Sequence, residues 1–343
     1  MLLKSKFLAF LPTILAVHNR VDSKTRFFNA ESFKSSKFVV LADPQLGMLD
    51  SYEPSELKRQ HLGISGSRKN GSLFQNELAL VNQTVTYINK YNVQHREENK
   101  IEFVVILGDM VNQYPSGAIK KSYSDARMHE FAIVNRQQVA GLKSVLSGSK
   151  VPVFVLPGNH DVGDDFYDEA VDNYVAQWGA DYYYFDVEDS LFLFLNTQIW
   201  KNEEKTSQQK KDEMNDFIDN VFDKFGSQGG AETSKIKNLH IFQHFPMFWN
   251  QKNLASLDAD DMVDEKTKID LMKKIQGSFP GVSMKIYAGH LHGQDIFSDC
   301  GTQLIVNSLT SNKDHEGWQF GKYGGVHIVN DTSTSEFVGL DEM

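Results

Sequence analysis

Six short apolar runs, none containing Asp, Glu, Lys or Arg, recur along the chain. They are Phe38–Leu41, Phe103–Leu107, Val153–Leu156, Leu191–Leu195, Leu239–Phe242 and Ile286–Ala288. Charge-free runs rich in β-branched and aromatic residues suit strands buried on both faces. Segments of helical period lie between them. Phe74, Leu78, Val81, Val85 and Ile88 recur every three or four residues and predict one amphipathic helix. Met214, Phe217, Ile218, Val221, Phe222 and Phe225 predict a second, ended by the tract Gly226–Gly230. Strands alternating with helices imply a layered α/β architecture whose active loops lie at the carboxyl ends of the strands.

Five of the runs lead directly into residues that can hold a metal. Asp43-Pro44-Gln45 follows the first, and Gly108-Asp109-Met110-Val111-Asn112 the second. Gly158-Asn159-His160-Asp161 follows the third. Gln243-His244 and Gly289-His290-Leu291-His292 follow the last two. Each cluster alone has a local explanation. Asp43 or Asp109 could close an Asx-turn or cap a helix. Asn159 could stabilise a turn beside Gly158, and a lone His244 could be a core histidine. Five such clusters at successive strand ends are hard to obtain by chance.

The residue types define a chemistry. Carboxylate and amide oxygens with imidazole nitrogens suit divalent Mn, Fe, Zn or Mg. Two such ions ~3.5–4 Å apart clamp the attacking and leaving oxygens of an in-line displacement at phosphorus, and lower the pKa of a bridging water. That arrangement needs a bridging carboxylate, and the leaving alkoxide needs a proton donor or a positive partner, which a histidine outside the ligand set can supply. Glycine before each ligand would let the backbone turn sharply and stay close to the phosphate.

The series Asp-x-Gln, Gly-Asp, Gly-Asn-His-Asp, His and Gly-His-x-His resembles the calcineurin-like metallophosphoesterase superfamily, from about Ser36 to the end of the chain. Ala42–Gly47, Leu195–Gln198, Phe242–Pro246 and Trp178–Tyr183 resemble, more narrowly, the calcineurin-like phosphoesterase domain-containing proteins, a Ser/Thr phosphatase type. The resemblance implies an α/β fold, a four-layer αββα sandwich in a single domain over residues 36–343. It implies a metal-dependent phosphoric ester hydrolase with two divalent ions. Asp109 would bridge both; Asp43, Gln45 and His292 would complete the first site, and Asn159, His244 and His290 the second. His160 would face the phosphate and help expel the leaving group, and Asp161 would hold its ring. The superfamily usually has histidine where this chain has Gln45. An amide oxygen is a harder, weaker ligand than imidazole, so a looser first site, tilted toward Mn or Mg, is expected.

The substrate class that follows is a phosphorylated protein or a small phosphoester. A phosphodiesterase or nucleotide pyrophosphatase on the same scaffold stays open, because surrounding loops set the substrate. So does a non-catalytic phosphoprotein-binding module. A net charge of -10 over 343 residues argues against sequence-independent nucleic-acid binding. Cys300 is the only cysteine, which excludes a disulfide framework and a thiolate zinc site.

Lys4 and Lys6 precede the uncharged stretch Phe7–Val17, a basic start and short apolar segment that describe a secretory signal peptide. The stretch is too short for a membrane span of ~20 residues. The competing reading is an N-terminal extension packed on the domain of a cytoplasmic protein, and the signal is the slightly favoured one. Residues 52–71 read as a surface insertion, and Asp258–Glu265 as a solvated acidic loop. Asn112 could contact substrate or cap the segment after it. Asn196 and Gln198 receive no ligand role. His18, His61, His95, His129, His240, His315 and His327 read as packing or surface residues. Oligomeric state is not legible.

Overall fold

The fold is known from a computed structural model. It describes residues 21–22, 24–48, 74–115, 124–163, 168–201, 206–227, 235–248, 262–298, 302–306, 308–314, 317–320, 324–330 and 335–343. The signal-like segment, the insertion at 52–71 and the acidic cluster Asp258–Asp261 lie outside the described residues.

The chain runs through β1 (Phe38–Leu41), α1 (Gln75–Gln94), β2 (Phe103–Ile106), α2 (Asp125–Leu146), β3 (Val153–Val155), α3 (Asn159–Val162) and α4 (Asp168–Trp178). It continues through β4 (Tyr183–Val187), β5 (Ser190–Phe194), α5 (Gln198–Lys201), α6 (Gln208–Phe225), β6 (Asn238–Gln243), α7 (Glu265–Ser278) and β7 (Ser283–Ala288). Six strands close it: β8 (Asp295–Ser298), β9 (Thr302–Ile305), β10 (Ser311–Asp314), β11 (Gly317–Phe320), β12 (Gly325–Val329) and β13 (Ser335–Gly339).

Two mixed sheets result, ordered β13-β12-β1-β2-β3 and β4-β5-β6-β7-β9-β8, with a small β10-β11 ribbon. The charge-free runs form the parallel centres, β1-β2-β3 in one sheet and β5-β6-β7 in the other. All residues of β1, β2, β3 and β5 are buried. Burial on both faces explains why these runs lack alternation.

Alternate side chains of each strand enter different packing layers. Phe38 and Val40 join Phe103, Phe154, Phe185, Phe192, Phe194 and Phe242 between the sheets. Val39, Leu41, Val104 and Ile106 belong instead to the cluster containing Val81, Val85 and Leu142 of the helices. On the second sheet Leu191, Leu193 and Ile241 share that cluster with Met214, Ile218, Val221, Leu271 and Ile275. The architecture is thus the expected four-layer αββα sandwich. Its middle layer is aromatic: Phe38 stacks on Phe103 at 5.0 Å and meets Phe192 edge-on at 5.8 Å. Such pairs add about 0.5–1.5 kcal/mol each beyond their buried area. Phe28 also inserts here, fully buried and 4.9 Å from Phe154, so the chain feeds the core before residue 36.

Both predicted helices are present. Gly226 follows α6 directly, and its N–H closes on Phe222. Asp264, part of the acidic loop, caps α7 by accepting from the Thr267 N–H at 2.9 Å. His240 and His327 are packing residues, buried at 2% and 1% exposure. No helix among the described residues is long and apolar enough to cross a membrane.

Candidate metal centre

The carboxyl ends of β1, β2, β3, β6 and β7 converge. The side chains of Asp43, Asp109, His244 and His292 are buried there, and His290 is partly exposed. Two donor groups form. Asp43, Asp109 and His292 make one, and Asp109, His244 and His290 the other. Within each, one ligand atom per residue lies within 4.8 Å of the rest. Asp109 belongs to both. Asn159 joins the second group, its Oδ1 lying 3.0 Å from His244 Nε2. Gln45 follows Asp43 by two residues, and its N–H donates to the Asp109 carbonyl at 2.8 Å.

Backbone strain concentrates at the same residues. Among the described residues eight non-glycine positions have positive φ, and five of them are Asp43, Gln45, Asp109, His290 and His292. L-residues in this region cost free energy and persist only where surroundings impose them. Long-range bonds impose them here. The His290 N–H donates to the Asp43 carboxylate at 3.1 Å, and the His160 N–H to Asp109 Oδ1 at 2.9 Å. Ser308 Oγ donates to the Asp43 carbonyl at 2.7 Å, and Thr310 Oγ1 to the Pro44 carbonyl at 2.9 Å. Glu77 of α1 accepts the Gly47 N–H, and Gln138 of α2 accepts the Gln113 N–H. Ser308, Thr310, Glu77 and Gln138 carried no recognisable sequence signal.

The glycines have two explanations. Gly108 adopts φ +90°, as a sharp turn requires. Gly158 has φ −104°, and Gly289 lies outside the left-handed region too. Both are needed for close approach to carboxylates rather than to phosphate. A Cβ at Gly289 would lie 2.9 Å from Asp43 Oδ2, and one at Gly158 would overlap Asp109.

One expected role is corrected. Asp161 does not hold the His160 ring. Its carboxylate accepts the backbone N–H of Gly158 at 2.9 Å and of Met110 at 3.1 Å. It therefore ties the β3 loop to the β2 loop. The His160 ring is held by Nδ1 against the Asn112 carbonyl at 2.8 Å, with Tyr114 edge-on at 4.6 Å. Asp161 sits in the first turn of α3, where its carboxylate reaches back to free N–H groups. Asn112, undecided in sequence, serves through its backbone. Asn196 and Thr197 support the site from behind: Thr197 Oγ1 accepts the Phe245 N–H at 3.1 Å, and Asn196 bonds Asp181.

The electrostatics ask for cations. Burial first, and then the Asp109 charge, raises Asp43 well above the usual carboxylate range, and Asp161 likewise. Burial also pushes Asp109 up, but His244, His160 and His290 outweigh it and hold it below its ordinary value. Burial lowers His244 to about 4, so its ring is neutral. Nδ1 takes the proton and donates to the Leu107 carbonyl at 2.8 Å. Nε2 then presents a lone pair to Asn159 Oδ1 at 3.0 Å and Asp109 Oδ1 at 3.4 Å. Three acceptors converge with no proton between them, which a cation resolves. The Gln45 Oε1 atom is buried without a hydrogen-bond partner, as a ligand oxygen would be. The residues present fit divalent metal ions.

An αββα sandwich bearing this donor geometry places the chain among metal-dependent phosphoesterases. The chain belongs to the calcineurin-like phosphoesterase family, whose profile matches residues 36–294. It is 26% identical over 313 residues to the serine/threonine-protein phosphatase CPPED1 of Homo sapiens, covering 89% of this chain and 84% of that protein. The Rattus norvegicus counterpart is 27% identical over 312 residues, with the same coverage. A dimetal phosphatase from Danio rerio shares the fold, with a TM-score of 0.51 at 11% identity over 89% of this chain and 98% of that one.

Proposed function

We propose that the chain is a binuclear-metal phosphomonoesterase acting on phosphoserine and phosphothreonine in proteins. The carrying observation is the pair of donor groups that share Asp109. Asp43, Gln45, Asp109 and His292 would hold one ion, and Asp109, Asn159, His244 and His290 the other. When bound, the two ions supply positive charge for the phosphoryl oxygens and lower the pKa of a water between them.

The remaining work falls to the protein. The partly exposed His160 lies beside the bridging carboxylate, through its N–H bond to Asp109. With Nδ1–H donating to the Asn112 carbonyl, the ring in its imidazolium form carries a second proton at Nε2 to give to the leaving oxygen. Asp161 and Gly158 keep that loop against Asp109. The protein-phosphatase assignment of substrate rests on the names of the relatives.

Asp109→Asn and His290→Ala test the reading. Both should lower p-nitrophenyl phosphate hydrolysis by at least about a hundredfold, with circular dichroism unchanged. Elemental analysis should show a full pair of ions in the wild type and a deficit in Asp109→Asn. Retained turnover in both variants rejects the metal assignment. Preference for bis-p-nitrophenyl phosphate over the monoester makes the protein a diesterase. Two bound ions with no turnover of any phosphoester make it a binding module.

A further inference from the structure

The β2 loop continues past Asp109 and meets the β3 loop again at Tyr114. The Tyr114 hydroxyl accepts a hydrogen bond from Asn159 Nδ2 at 3.4 Å. Its ring meets the His160 ring edge-on, with centroids 4.6 Å apart. One partly exposed side chain therefore touches the first two residues of α3. The same two residues carry the amide assigned to an ion and the imidazole assigned to the leaving group.

Tyr114 stands on a braced segment. The Asn112 N–H donates to the Leu46 carbonyl at 2.9 Å. The Gln113 N–H donates to Gln138 Oε1 at 2.9 Å, and the Gln113 carbonyl accepts from Asn135 Nδ2 at 2.6 Å. Asn135 and Gln138 are buried, three residues apart on one face of α2. Two side-chain amides of that helix thus hold both backbone groups of Gln113, the residue between the Asn112 carbonyl and Tyr114.

Asn159 has a use for such a neighbour. Its Oδ1 is turned toward His244 Nε2 at 3.0 Å. An amide that binds a cation through its oxygen keeps two N–H donors, and Asn159 is buried. A buried donor left without an acceptor is costly, and the Tyr114 hydroxyl accepts one of the two. We propose that Tyr114 is a positioning residue for the ion assigned to Asp109, Asn159, His244 and His290: its hydroxyl steadies the Asn159 amide while the amide oxygen binds. The inference rests on the binuclear reading above. Groups that orient a metal ligand in this way govern affinity by about 10–100-fold.

The test is calorimetric titration of manganese into the metal-free full-length protein. Tyr114→Phe removes the hydroxyl and keeps the ring against His160. One ion should bind about tenfold more weakly in this variant and the other as in the wild type. The melting temperature of the metal-free protein should be retained. Turnover of p-nitrophenyl phosphate should fall at limiting manganese and recover as manganese is raised. Asn159→Ala should weaken the same ion, and adding Tyr114→Phe to it should cost nothing further. Equal affinities in wild type and Tyr114→Phe overturn the proposal, as does a further loss in the double variant. So does a fall in metal-free stability with both ions weakened alike, the mark of a merely structural role. A wild type that binds fewer than two ions removes the binuclear reading and the proposal with it. Two ions, one weakened in Tyr114→Phe, with no turnover of any phosphoester, leave the role of Tyr114 standing and remove the phosphatase reading instead.

Discussion

The α-carbon of Gly158 lies so close to Asp109 that a methyl group there would overlap both the Asp109 carboxylate and its backbone nitrogen. The β2 and β3 loops meet at that point, and Asp161 locks them by accepting the N–H groups of Gly158 and Met110. The residue proposed to bridge two ions is thus fixed from its back by a glycine and a carboxylate.

Gly158→Ala is therefore expected to remove activity without touching a ligand. Overpacking of this kind costs about 1–3 kcal/mol, and the strain falls on Asp109. Turnover of p-nitrophenyl phosphate should drop at least a hundredfold, with a detectable loss of bound metal. A variant with wild-type activity would mean that Asp109 has room to move.

Asp161→Asn separates the corrected role from the expected one. An amide offers one acceptor oxygen in place of two and must bury its own N–H donors, costing about 1–3 kcal/mol. The melting temperature should fall while the pH profile of kcat keeps its shape. A shifted profile at unchanged stability would instead make Asp161 a partner of His160.

Gln45→His should tighten the first ion, because imidazole is the stronger ligand for Fe and Zn. Metal titration should show one of the two ions bound with higher affinity, and Gln45→Leu should bind it more weakly. Equal affinities in all three proteins would exclude Gln45 from the ligand set.

Burial lowers His240 to about 3 and His327 to about 4. Unfolded, both would protonate near the ordinary value of 6.5, so below that pH the unfolded chain binds more protons. Stability contributed by the two neutral rings is intact above about 6.5 and is lost as pH falls toward 4. The slope is up to about 1.4 kcal/mol per pH unit for each group. Urea midpoints from pH 7.5 to 4.5 should decline, and His327→Leu should flatten that decline. An unchanged slope in the variant would place the acid sensitivity elsewhere.

The local chemistry was legible. β1, β2, β3, β5 and β6 could be read because strands buried on both faces exclude charge, and their ends could be read because few residue types bind hard cations. The closing strands could not. Asp295–Ser298 and Ser335–Gly339 mix polar and apolar residues, and only their pairing with β9 and β12 makes them strands.

The sequence by itself determined which strand ends carry residues able to bind a cation, and the layered class, since each depends on residue type and short spacing. Tertiary structure alone decided which residues meet. Asp161 could not be assigned from its neighbour His160, because its partners are backbone groups, one of them 51 residues away. Ser308 and Thr310 look like ordinary polar residues until the sheet brings them, 265 and 266 positions along the chain, beneath Asp43 and Pro44. Hydrogen-bond partners and close approaches depend on distances in space, and no local pattern encodes those.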